Sequence, residues 1–230
     1  MSFNWGEPDE VVANREEFLR KHGASLDDCT VMQLNHGEHI EVVGEEERGM
    51  GARKGEDSIA AEALITNDPE TILFLVTADC LPITFYDPVK KVLALAHLGW
   101  KPSTKGLSKS VIERMHDEFG CNPADIVVHV GPGIRQESYL VENISEEQRT
   151  EEWGPFVQKD DDGQYRVDLV GFNTQQLVEA GVSEANIEVS PIDTFADENY
   201  FSHHRDKERP DEGRVATIAR LPVEKAVQEE

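Results

Sequence analysis

Apolar residues recur along this chain in two rhythms, a spacing of three to four residues and short unbroken runs, and each predicts a different element. Pro8-Asp9-Glu10 followed by Val11, Phe18 and Leu19, with Arg20-Lys21 near the end and Gly23 beyond, predicts a helix over 8–22 whose charges complement its dipole. Leu107, Val111, Met115 and Phe119 fall four apart before Gly120, which predicts an amphipathic helix over 104–119. A third helix is expected over 168–180, with Leu169, Phe172, Leu177 and Ala180 facing inward and Gly181 as its stop.

The unbroken runs predict strands. Residues 30–36 and 39–43 read as two strands meeting at a turn at Gly37. Residues 60–66, 72–77, 82–86 and 92–97 read as buried sheet strands, divided by Asn67-Asp68-Pro69 and Asp87-Pro88. Residues 125–130 form another, running into Gly131-Pro132-Gly133, and 214–221 the last. Between them, residues 45–57 set Gly49, Gly51 and Gly55 among charges with almost no apolar period, as expected of a mobile surface loop that would act as a lid. No internal repeat or linker divides the chain. The fold expected is α/β, a single domain over residues 1–230 with a mixed β-sheet flanked by helices and a polar tail at 222–230.

Composition narrows the setting. The chain has 230 residues, 38% of them hydrophobic, which suits one soluble globular domain rather than a disordered or collagen-like chain. No apolar run reaches membrane-spanning length and no charged-then-apolar leader opens the chain, so a cytoplasmic protein is expected. Cys29, Cys80 and Cys121 are well separated and odd in number, so thiols rather than disulfides are expected. Forty-six Asp and Glu against 22 Lys and Arg give a net charge of −24. Such a surface repels nucleic acid, and a phosphate-bearing ligand would need a local basic pocket. The same surplus is the composition of a salt-rich habitat.

His36, Cys80 and His97 each fall at the end of a predicted strand. Imidazole and thiolate are the ligands zinc prefers, and three of them leave a fourth tetrahedral position open for catalysis. Two blander readings stand beside this: a buried Cys that is simply a small core residue, and histidines that are satisfied core or surface groups. Cys80 as nucleophile with His97 as base would also suit a cysteine hydrolase or amidase, which has no need of His36. Asp79 sits beside Cys80, but strand alternation points it away, so its proton-shuttle reading competes with a structural one. The Asp160-Asp161-Asp162-Gly163 run lacks the alternating ligands of a calcium loop and reads as a solvated turn.

The words around these residues carry more than their spacing. Val12-Ala13-Asn14-Arg15, Gln33-Leu34-Asn35-His36-Gly37, Thr77-Ala78-Asp79-Cys80-Leu81-Pro82, His97-Leu98-Gly99-Trp100-Lys101, Gly131-Pro132-Gly133-Ile134 and Phe201-Ser202-His203-His204-Arg205-Asp206 appear in one order. Together, from Val12 to Leu221, they resemble the YfiH family, also called the laccase-domain, multicopper polyphenol oxidase or peptidoglycan editing factor family. The resemblance implies one zinc held by His36, Cys80 and His97, which would also be the catalytic residues. It implies phosphorolysis of adenosine, inosine and methylthioadenosine, deamination of adenosine, and purine nucleoside and inorganic phosphate as partners.

Departures from the family pattern cluster near the expected pocket. The usual His-Ala-Gly-Trp-Arg-Gly is His97-Leu98-Gly99-Trp100-Lys101-Pro102, paired arginines after the Phe-Ser segment are His204 and Arg205, and a common Cys-Thr pair is Asp193-Thr194. Lys101 keeps a charge but loses the two-pronged bonding of arginine. Lys101, His204 and Arg205 are the expected phosphate-binding residues. The family's older label, copper-dependent polyphenol oxidation, is the alternative, and copper the alternative metal. A three-copper cluster would consume most of the eight histidines, and the chain has no repeated His-x-His pairs from which to build one.

Overall fold

The run Val92–Leu98 is buried at all seven positions, which a strand achieves only when both its faces are covered. That requirement organises the molecule. The computed structural model describes residues 1–3, 6–209 and 212–222, so the expected polar tail lies, from residue 223 on, outside the described residues. In chain order come α1 (Pro8–Lys21), β1 (Cys29–Val31), β2 (Ile40–Val42), β3 (Ala63–Thr66), β4 (Ile72–Thr77), β5 (Leu81–Asp87) and β6 (Val92–Leu98). Then follow α2 (Trp100–Thr104), α3 (Leu107–Phe119), β7 (Val127–Val130), β8 (Leu140–Val141), β9 (Val157–Lys159), β10 (Tyr165–Val167) and α4 (Leu169–Glu179). β11 (Ile187–Val189), α5 (His203–Asp206) and β12 (Val215–Ala219) complete the described chain.

The strands form three sheets: a mixed six-stranded one in the order β11-β7-β5-β6-β3-β2, a three-stranded one in the order β1-β4-β12, and a small antiparallel one in the order β8-β10-β9. Alternation along each strand decides which layer a residue joins. Ala94 and Ala96 of β6 pack with Ile65, Ile83 and Phe85 against Val111 and Met115 of α3 and Leu177 of α4. Leu93 and Leu95 turn the other way, joining Leu64 and the β4 residues Leu73 and Leu75 in the seam between the two larger sheets. Ile72 and Phe74 of β4 then face Leu19 of α1. The result is four layers: helix, small sheet, large sheet, helices. Each fully buried leucine in the seam contributes roughly 1.5–3 kcal/mol of transfer free energy. The α/β class expected from the sequence is the one observed.

Four details differ. Residues 30–36 and 39–43 do not form a hairpin, because β1 pairs in parallel with β4 of the small sheet and β2 with β3 of the large one. The helix expected over 104–119 begins at Leu107, since Gly106 adopts the left-handed φ of 76° that ends the separate helix α2. The segment over 45–57 is fastened rather than lid-like: Gly49 donates to the Cys29 carbonyl, Val31 donates to the Met50 carbonyl, and Ala52 is fully buried. Finally, β8 to β10 lie in a stretch for which the sequence pattern predicts no element. The Asp160–Gly163 run is, as expected, a turn, with Asp160 Oδ1 accepting the amides of Asp162 and Gln164.

Candidate metal centre

Two segments cross from the small sheet to the large one, β1 to β2 and β4 to β5, and each brings one candidate ligand. His36 lies on the first with a left-handed φ of 59°. Cys80 ends the second, directly after Asp79 at φ 80°. Strain at Asp79 is offset by its side chain, as is usual where a non-glycine holds this conformation. Asp79 Oδ1 accepts from Thr194 Oγ1 (2.7 Å), and Oδ2 accepts from Ser202 Oγ (3.0 Å) and the His204 amide (2.6 Å). It therefore ties the segment 194–204 to the β4–β5 turn, which favours its structural reading.

His97 comes from the large sheet, on the seam face of β6 with Leu93 and Leu95. Its ring meets that of His36 edge-on at 5.1 Å between centroids. One nitrogen from each histidine and the Cys80 sulfur all lie within 4.8 Å of one another. Gly99 makes this approach possible, since a Cβ there would sit 2.8 Å from Cys80 Sγ.

Electrostatics favour a thiolate–imidazolium pair, from which a bound metal ion would displace the ring proton. Burial alone would raise the Cys80 thiol, but the charge of His97 and hydrogen bonds from His36 and His97 outweigh it and bring the thiol down to about 6. Thiolate is thus the favoured form at neutral pH. His97 shifts upward, because Cys80 and Glu62 outweigh the burial that would lower it. Glu62 is fully buried, yet it is held below the ordinary carboxylate range: His97 and the amides of Asn35 and Gly37 overcome the burial term. Glu62 Oε2 lies 2.6 Å from His97 Nδ1, and Oε1 accepts the amides of Asn35 (2.7 Å) and Gly37 (3.1 Å). The carboxylate engages Nδ1 and leaves Nε2 of His97 for the sulfur side.

The donor set suits zinc or another thiolate-seeking divalent ion, with one coordination position left over. All eight histidines are described, and the other six are dispersed: His39 pairs with Glu41, His203 with Glu212, His116 meets the Cys121 carbonyl, His204 lies between Tyr139 and Phe195, and His22 and His129 are exposed. They form no second histidine cluster for copper.

A cavity of about 790 Å³ opens on His36, Cys80 and His97 and extends to Arg15, Arg53 and Lys54. Lys101, His204 and Arg205 do not line it. Lys101 is exposed on α2, its ammonium 5.4 Å from the centre of the Trp100 ring. His204 is half-buried, flanked by Tyr139 and Phe195, and its burial holds the imidazole below its ordinary pKa. Arg205 spends its five N–H donors at home: Nε and Nη2 bond Asp206, Nη1 bonds the Thr194 and Phe195 carbonyls, and Nη2 also bonds the Tyr200 carbonyl.

The family model for multi-copper polyphenol oxidoreductase laccases matches residues 1–222. The chain belongs to this laccase-domain, or YfiH, family. A YfiH-family relative from Bacillus subtilis, named purine nucleoside phosphorylase YlmD, is 30% identical over 203 residues, covering 86% of this chain and 73% of the relative. The crystal structure of YlmD from Geobacillus stearothermophilus superposes with a TM-score of 0.89 at 30% identity, covering 96% of this chain and 84% of that one. The crystal structure of the Bacillus licheniformis hypothetical protein YfiH gives 0.85 at 30% identity, covering 94% of this chain and 82% of that one. Against this background, Glu62 is the residue that sequence reading missed. A lone acid inside the apolar run 60–66 was the available signal, because an unpaired carboxylate is rarely fully buried.

Proposed function

We propose that this YfiH-family chain is a zinc-dependent purine nucleoside phosphorylase that also deaminates adenosine. The convergence of His36, Cys80 and His97 at a cavity with room for a nucleoside is the observation that carries the reading, and relatives named purine nucleoside phosphorylase support it. Zinc held by these three residues would supply a Lewis acid and a water of lowered pKa. Glu62 orients His97 and, through the amides beside it, the segment bearing His36. In phosphorolysis a phosphate oxygen bonds the anomeric carbon as the bond to the purine nitrogen breaks, so the chain's work is positioning and charge neutralisation. From outside the cavity, Lys101 is proposed to draw phosphate toward the site as an exposed cation, and His204 to hold or give up the leaving-group proton. Arg205, with no N–H to spare, is proposed to act by holding the segment that carries His204. The test is product analysis. Metal-characterised protein is incubated with adenosine, inosine and methylthioadenosine, with and without phosphate. Ribose 1-phosphate from inosine establishes phosphorolysis, inosine from adenosine establishes deamination, and neither product sinks the reading.

One observation favours a second reading. Glu62, His97 and Cys80 line up as acid, base and nucleophile, with the thiol already lowered to about 6. That is the equipment of a Cys-His hydrolase or amidase. It predicts activity that survives chelation and is abolished by Cys80→Ser.

A further inference from the structure

One buried cation in the cavity wall has no counter-ion among the described residues. Arg15, on α1, is 2% exposed, and its guanidinium lies over the rings of Phe3 (4.5 Å) and Phe74 (5.2 Å). Its Nε donates to the Met1 carbonyl (2.8 Å) and its Nη1 to the carbonyls of Gly51 (2.7 Å) and Ala52 (3.0 Å). Among the described residues, Nη2 makes no hydrogen bond and no carboxylate forms an ion pair with the group. In a chain with 46 Asp and Glu this is the reverse of expectation, since buried charges are normally paired. Burial accordingly pulls the guanidinium down to about 10.

The surroundings suit an anion attached to, or reacting with, an apolar-faced molecule. Lys54 and Arg53 stand exposed on the same cavity, Arg53 also reaching Asp27. Val31, Met32 and Val76 supply apolar wall, and the metal triad opens on the same space. Glu56 also lines the cavity, but Arg15, Arg53 and Lys54 outnumber it, and a lining of net positive charge inside a protein of net charge −24 is the local basic pocket that a phosphate-bearing ligand requires to overcome the acidic surface.

We propose that this cavity binds a phosphate-type oxyanion, with Arg15 as its buried counter-charge and Lys54 and Arg53 as the cations that admit it. The choice of phosphate rests on the phosphorylase reading; the need of Arg15 for an anion does not. The oxyanion is either inorganic phosphate or the phosphate ester of a nucleotide.

Calorimetric titration of inorganic phosphate, and separately of adenosine 5′-monophosphate, into the full metal-loaded chain tests this. Saturable binding of at least one is expected. Arg15→Gln should weaken it about tenfold or more, the worth of a charged hydrogen bond away from water, with circular dichroism and metal content unchanged. Should that variant fail to fold, Arg53→Gln with Lys54→Gln changes only exposed side chains and should still cost roughly two- to fivefold. Binding of phosphate alone identifies a co-substrate, and binding of the monophosphate alone identifies an ester; both support the site. No binding of either, binding indifferent to these variants, or loss in Lys101→Ala but not in Arg15→Gln overturns it. Phosphate bound without phosphorolysis of any nucleoside would instead remove the phosphorylase reading and leave the site standing.

Discussion

Glu62 and His97 meet at 2.6 Å in full burial, while the second oxygen of the same carboxylate holds the amides on either side of His36. One side chain thereby positions two of the three candidate ligands. Glu62→Gln turns this into a test with a defined sign. The backbone amides can only donate, so the glutamine oxygen must face them and its NH₂ must face His97 Nδ1. The ring then has to accept there and carry its proton on Nε2, which removes that nitrogen as a ligand. Metal affinity should fall about 10–100-fold, read by competition with a chromogenic chelator. Unchanged affinity would show that His97 is not a ligand through Nε2.

Metal removal should cost both activity and stability. With zinc at about a thousand times its dissociation constant, binding contributes about 4 kcal/mol to the folded state. Stripping it should lower Tm by roughly 8–16 °C for a chain of this size, recovered on adding zinc back. Activity that persists without metal and disappears in Cys80→Ser would transfer the site to the hydrolase reading.

Asp79 offers a graded pair of substitutions. Asp79→Ala loses three buried hydrogen bonds and places alanine at φ 80°, and should destabilise by about 3–5 kcal/mol. Asp79→Asn can keep its oxygen toward Ser202 and the His204 amide and turn its NH₂ to Thr194 Oγ1, which is able to accept. Its cost should be about 1–2 kcal/mol. Urea denaturation midpoints measure both, and equal losses would contradict the structural role of Asp79.

Salt should stabilise this chain. A net charge of −24 repels itself more strongly in the compact state, and counter-ions screen that repulsion over about 10 Å at 0.1 M and 3 Å at 1 M. Melting temperature is expected to rise between low and high sodium chloride. Curves that do not move would remove the salt-adapted interpretation of the composition.

The long elements were legible because their signals are local. In α1, α3 and α4 the apolar period and the stops agree, and β3 to β6 are runs buried on both faces. What escaped was non-local. β1 and β2 are three residues each, and their membership of different sheets depends on Ile72 and Ala63, far along the chain. β8 to β10 carry mixed exposure, with no alternation to announce them. At the site, His36, Cys80 and His97 were legible as ligand chemistry, whereas Glu62 could be assigned only once β3 and β6 lay side by side, with its neighbour Ala63 opposite Ala96. The full engagement of Arg205 was equally invisible, because beside Asp206 its acceptors are the carbonyls of Thr194, Phe195 and Tyr200, which no sequence motif advertises.

The candidate ligands arrive from both sides of the junction between β4 and β6: His36 and Cys80 on the strands' crossing points, His97 from the far wall. A bound ion would therefore rivet two separately hydrogen-bonded slabs together, and its bond lengths would register any slip between them. Trimming Leu73 or Leu93, away from the rivet but inside the joint, would be felt at the metal as altered spacing before it was felt anywhere on the surface.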